Sequence, residues 1–195
     1  MAFSLRALPI PLSKVGRAAH DIGLAGLLGG NLFGRLAMHP SLTEISDQAE
    51  RGKVVNAAWR RYGTVNSLSL AAVASGWIAA RLRESASSKL SDQERRLAYA
   101  KDALIGLVAA TGLATAAEGM RFAQMAPGGA VPLRDGDHAA PAASESARRS
   151  KRRVNILSTA NLASEIALVA VNSALAQEGF RRRRGRRFIP PRGRL

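Results

Sequence analysis

Glu165 has the most chemistry to offer in this chain, because it is the single acid inside the otherwise uncharged run from Val154 to Gln177. A carboxyl sheltered from water favours its neutral form, which suits it to donate a hydrogen bond or relay a proton. Ser158, Asn161, Glu165 and Asn172 follow one another at intervals of three, four and seven. A helix holds such residues on one face. Thr111, Thr115 and Glu118 share a face in the same way, and Asn66 with Ser69, and Asn31, supply matching positions in two other apolar runs. These stripes are expected to converge. Glu165, Asn161, Asn66, Asn31 and Glu118 are therefore the candidate binding residues. Asn, Ser and Thr also fasten helices to one another through hydrogen bonds, and Glu118 beside Arg121 reads as an ion pair near a helix end.

Other chemistries lack their residues. Without Cys there is no disulfide, thiol nucleophile or Cys-held metal. His20 and His39 flank opposite ends of the first apolar run and His138 lies in a Pro- and Gly-rich connection, so no pair is placed to ligate haem; His20 reads as an interfacial residue. No His-x-x-x-His spacing or multi-carboxylate helix marks a metal site, and no Gly-x-x-x-x-Gly-Lys-Ser/Thr loop cradles phosphate. Neither cofactor nor metal is expected, and the catalytic residues, if any, are not marked.

The elements that position these residues are four apolar stretches: Ile22 to Gly34, Tyr62 to Ala80, Ala103 to Ala117 and Val154 to Gln177. A membrane-spanning helix takes about 20 mostly apolar residues at ~1.5 Å rise each. The second stretch, with 19 uncharged residues, meets this cleanly. The first has 13 between Asp21 and Arg35 and spans only if Arg35 snorkels. Its glycines at 23, 26, 29, 30 and 34 disfavour a soluble helix and favour close packing of membrane helices. Trp59, Tyr62 and Trp77 fit interfacial belts. The reading is an all-α, four-helix transmembrane bundle forming one domain over 1–195, with spans near 20–38, 62–82, 102–122 and 154–177. A soluble Ala-rich bundle is the alternative. The basic N-terminus resembles a signal peptide superficially, but Pro9, Pro11 and the lack of a clear cleavage site favour an uncleaved first helix.

Ser41-Leu-Thr-Glu44 and Ser91-Asp-Gln-Glu94 both match the capping box and so predict helix starts. Residues 126–150, rich in Ala, Pro, Gly and Ser, read as a flexible loop. The chain also echoes itself. Asp21, Gly26-Leu27 and Met38 parallel Asp102, Gly106-Leu107 and Met120, and Thr64-Val-Asn66 parallels Thr159-Ala-Asn161. Two duplicated helical hairpins would give this pattern, and two hairpins of similar composition would give some of it by chance.

Charge orients the bundle. The chain carries a net +15, and Arg181, Arg182, Arg183, Arg184, Arg186 and Arg187 directly follow the fourth stretch in an acid-free tail, 181–195. Such a run attracts anionic lipid. Nucleic acid is a poor fit, since Phe188 is the tail's single stacking ring. The termini and central connection hold 17 basic residues against 12 in the other two connections, which places both termini in the cytoplasm by the positive-inside rule. The Arg148 to Arg153 cluster runs against that orientation.

The Gly-rich first span, Gly29-Gly30-Asn31-Leu32-Phe33-Gly34, followed by a polar-lined bundle resembles the small uncharacterised four-helix integral membrane proteins of bacteria, and more distantly the anthrone-oxygenase-like membrane group. The resemblance covers the four spans and implies a bacterial cytoplasmic-membrane location; the high Ala, Gly and Arg content suits an actinobacterial genome. It transfers no activity. The leading expectation is a non-enzymatic scaffold or accessory subunit whose company is the bilayer, a membrane-protein partner or a second copy of the chain. A small transporter or channel component using Glu165, and a membrane enzyme acting on a lipophilic substrate, are the rivals.

Overall fold

The computed structural model describes residues 12–83 and 85–187, with side chains described for 15–82 and 85–181. Four long helices account for most of them: α1 (Leu12–Phe33), α2 (Gln48–Arg83), α3 (Asp92–Ala123) and α4 (Glu145–Arg187). No strand is present among the described residues, which hold a single isolated bridge between Leu133 and Ala139. α1 does not stop at Phe33. It passes through a π turn, Gly34–Met38, and ends in one further turn, His39–Ser41.

Helix starts follow local chemistry. Ser91 forms the expected capping box with Glu94, each side chain taking the other's backbone N–H. Ser41 does not. Its hydroxyl donates backward to the Ala37 carbonyl, because α1 is still helical there and its orphan carbonyls compete for donors. The start of α2 is capped by Asp47, whose carboxylate accepts the Glu50 N–H at 2.8 Å.

The helices pack as two hairpins, α1 with α2 and α3 with α4; contacts of α1 with α4 and of α2 with α3 join them more thinly. Small residues set the close approach within the first hairpin. A Cβ on Gly23 would lie 2.6 Å from the Ser69 carbonyl oxygen, and Gly76 backs directly onto Gly16. One apolar cluster, Leu24, Leu27 and Val73 with Val108 and Leu168, crosses between the hairpins.

Sidedness is reversed relative to a water-soluble domain. α2, α3 and α4 are long and apolar enough to cross a membrane, and only 17%, 6% and 22% of their most apolar stretches is buried inside the protein. Ile78, Leu82, Leu113, Ile156 and Ile166 face outward, while His20, Lys101, Asn161 and Glu165 face inward. α1, interrupted by Arg17, His20, Asp21 and Asn31, is not among the three apolar helices.

The connection after α3, read as a flexible loop, packs part of its length against the helices. Val131, Leu133 and Ala143 are buried with Leu42, Val55 and Phe122 in a second apolar cluster, and residues 145–150 already belong to α4. Apolar residues spaced without period gave no helical or strand signal, yet each fills the open end of the bundle. Gly52 admits this segment against α2, since a Cβ there would strike the Val131 backbone.

Gly23→Ala is expected to destabilise the detergent-solubilised protein by about 1–3 kcal/mol through overpacking against the Ser69 backbone. Gly106→Ala, with nothing within 4 Å of the new Cβ, should leave the thermal midpoint unchanged or slightly raised. Thermal unfolding of the two variants side by side checks both.

Candidate functional site

Buried polar groups occupy three levels along the bundle. At the middle, Glu165 is 1% exposed, and its Oε1 accepts Asn31 Nδ2 from α1 and Asn161 Nδ2 from one turn earlier on α4, both at 2.7 Å. The Thr111 hydroxyl lies 2.9 Å from Asn161 Oδ1 and 2.7 Å from the Leu107 carbonyl, so its one proton serves one of them at a time. Two helices thus meet at one carboxyl, and α3 reaches it through Asn161. Glu165 Oε2 is buried and hydrogen-bonded to nothing among the described residues.

The predicted stripes converge only in part. Asn31, Asn161 and Glu165 come together. Asn66 stays apart, its Oδ1 buried and without a partner among the described residues, while Ser158 and Thr115 bond back to their own helices. Glu118 forms the expected 3.4 Å ion pair with Arg121 and also accepts the Ser150 hydroxyl at 2.8 Å.

At the end closed by the packed connection, Trp59 Nε1 donates to His39 Nε2 at 3.1 Å. That fixes the ring: Nε2 is the acceptor, so Nδ1 carries the proton and donates to Asp137 Oδ1 at 3.0 Å. Arg35 reaches the same carboxylate oxygen at 3.2 Å and Thr159 at 3.2 Å. Arg35 therefore turns into the protein instead of snorkelling away from it. A His beside an Asp invites a general-base reading, but the imidazole lone pair is already taken by the indole N–H. Hydrogen bonding from His39, aided by the charges of Arg35 and Lys151, holds the Asp137 carboxyl below its ordinary range despite partial burial.

The opposite end holds a cluster that sequence reading missed. Trp77 Nε1 donates to Asp102 Oδ1 at 2.6 Å and Arg81 pairs with Oδ2 at 2.9 Å. Lys101 donates to Asn172 Oδ1 at 2.5 Å with its ammonium 4.1 Å from the Trp77 ring centre, and Asn172 reaches Asp21 at 3.4 Å. His20, expected at the interface with solvent, is 4% exposed and bonded to the Val73 carbonyl at 2.8 Å. The available signal was the recurrence of His20-Asp21 as Lys101-Asp102 shortly before Gly26 and Gly106.

Of the basic tail, Arg181 pairs with Glu178 at 3.6 Å. The side chains of Arg182, Arg183, Arg184, Arg186 and Arg187, and residues 188–195, lie outside the described residues, as do residues 1–11. No protein-family model matches the chain, and no curated protein or solved structure matches it.

Because the Asp137 carboxyl is held low in the folded protein, its stabilisation is fully present above the ordinary carboxylate value of about 4 and is lost as pH falls through its lowered one. Asp137→Asn is expected to lower the thermal midpoint at neutral pH. The gap from wild type should close as pH drops below about 4, measured by paired melts across pH.

Proposed function

We propose that the chain is a four-span membrane protein acting as a non-enzymatic scaffold or accessory subunit. Support for the fourth span comes from depth. His20 to His39 on α1, Trp59 to Trp77 on α2, Lys101 to Glu118 on α3 and Lys151 to Asn172 on α4 separate the two terminal polar layers by roughly 26 to 32 Å at ~1.5 Å per residue, close to a bilayer core of ~30 Å. α1 then crosses with its polar residues turned inward: Asn31 onto Glu165 and Arg35 onto Asp137.

The observation that carries the scaffold reading is mutual occupation. Glu165, Asn31, Asn161, His39 and Asp137 spend their hydrogen bonds on one another, and two shallow depressions on the α4 surface are lined without Glu165. Such bonds fasten helices where water is absent. The exposed apolar walls of α2, α3 and α4 are then free to meet lipid, a partner helix or a second copy. Cytoplasmic termini in a bacterial cytoplasmic membrane, and lipid attraction by the Arg-rich tail, belong to the same reading. So does descent from two duplicated hairpins, supported by crossed pairs: Asp21 of the first reaches Asn172 of the second, and Asp102 of the second reaches Trp77 of the first. Trp77 and Asn172 stand at equal distances beyond Asn66 and Asn161.

A second reading, a small transporter or channel component, is favoured by the unpartnered Glu165 Oε2 and Asn66 Oδ1. Substitution at Glu165 separates the two. Glu165→Gln retains an oxygen for both Asn amides and should melt within about 1 kcal/mol of wild type, whereas Glu165→Leu strands them and should cost about 1–3 kcal/mol per stranded group. Thermal unfolding in detergent measures this. Loss of proton-coupled flux in Glu165→Gln proteoliposomes with folding intact would replace the scaffold reading by the transporter one. Release of the wild-type protein from membranes by carbonate would overturn both.

A further inference from the structure

α4 carries two adjoining surface depressions at the end of the bundle closed by the packed connection. The first, about 590 Å³, is lined by Arg148, Lys151 and Arg152 together with Asp137 and His138. The second, about 470 Å³, runs on along Thr159, Ala160 and Ala163. Asn155 and Ile156 line both. The pair therefore forms one groove with a basic head and an apolar lane.

The head holds an unusual cation. Lys151 is 5% exposed, yet its ammonium makes no hydrogen bond or ion pair among the described residues and lies 5.8 Å from the centre of the Phe122 ring. A buried charge is costly unless paired. The acids nearby are bonded elsewhere, Asp137 to His39 and Arg35, Asp135 to His138 and Arg134, Glu145 to Arg149, and Glu118 to Arg121 and Ser150, so that Asp137 and Asp135 attract Lys151 only across space. Among the described residues, Arg152 is exposed and equally without an anion, and the Arg148 guanidinium meets only the Pro141 carbonyl, at 3.2 Å.

We propose that this groove binds an anionic phospholipid, its phosphate between Lys151, Arg152 and Arg148 and one acyl chain along Ile156, Ala160 and Ala163. The head lies where α4 leaves its apolar stretch, at the depth of a phosphate layer, and the lane continues into that stretch. A free phosphate would use the head and leave the lane empty. A lipid uses both. The site is separate from the Arg-rich tail, which emerges at the other end of α4. The proposal rests on the membrane-spanning reading above.

The test uses the full-length protein in nanodiscs of phosphatidylcholine with and without phosphatidylglycerol, followed by exchange into phosphatidylcholine and quantification of the phosphatidylglycerol retained per protein. Wild type should retain it; Lys151→Met with Arg152→Gln should lose roughly tenfold or more. Ala160→Trp, which fills the lane and leaves every charge in place, should lose it as well, and Arg152→Gln alone, at an exposed position, gives a smaller loss in a variant with no packing to disturb. Equal retention by wild type and the folded variants would overturn the proposal. So would competition by inorganic phosphate as effective as by phosphatidylglycerol, or a change of oligomeric state in Ala160→Trp with retention intact, which would make the lane a helix-docking face. Failure of wild type to enter nanodiscs at all would instead sink the membrane reading.

Discussion

An apolar outer wall means that polar groups on these helices have to satisfy one another, and the Glu165 carboxyl shows how completely that constraint organises the fold. One oxygen takes an amide from α1 and another from its own helix. The first joins the two hairpins at mid-depth, where the direct contact between α1 and α4 is otherwise modest. Hydrophobic burial cannot drive helices together inside hydrocarbon, so small residues and interhelical hydrogen bonds do that work. Gly23 and Gly76 serve within the first hairpin; Asn31, Arg35, Trp77 and Asn172 serve between hairpins.

The ends of the bundle solve the same problem with different parts. At one, the indole N–H of Trp59, the His39 ring and the Asp137 carboxylate form a chain in which every donor has a named acceptor. At the other, Asp102 accepts from an indole and a guanidinium while Lys101 stacks on the same indole. Each Trp is thus held by its polar edge inside the protein, with its ring covering a cation or a small residue such as Gly34. Aromatic belts usually face lipid headgroups. These two face inward.

Four helices and the meeting of Asn31, Asn161 and Glu165 were legible in the sequence because helical spacing puts such residues on common faces. Ser91 was legible because a capping box is local. Ser41 misled because the same four-residue pattern occurs where a preceding helix has not ended, and nothing within four residues reports that. Residues 126–144 were opaque for a related reason: Val131 and Leu133 are buried by shape, against Leu42 and Val55 from remote parts of the chain. The inward turn of His20 and Lys101 was hidden as well. A residue at the end of an apolar run looks interfacial from the sequence, and only the neighbouring helix decides whether it faces out or in.

The π turn at Gly34–Met38 closes with the His39 N–H on the Gly34 carbonyl, five residues back. Such a turn accommodates one residue more than an α-helical one, which rotates everything after it by about 100°. α1 therefore has two phases. Before the turn its inner face is set by Asn31 and the glycines that meet α2; after it, by His39, which meets Trp59 and Asp137. The wide turn is a joint between two registers, so the mid-depth face and the loop-facing end of one helix can be fitted to their neighbours independently without breaking its backbone hydrogen bonding.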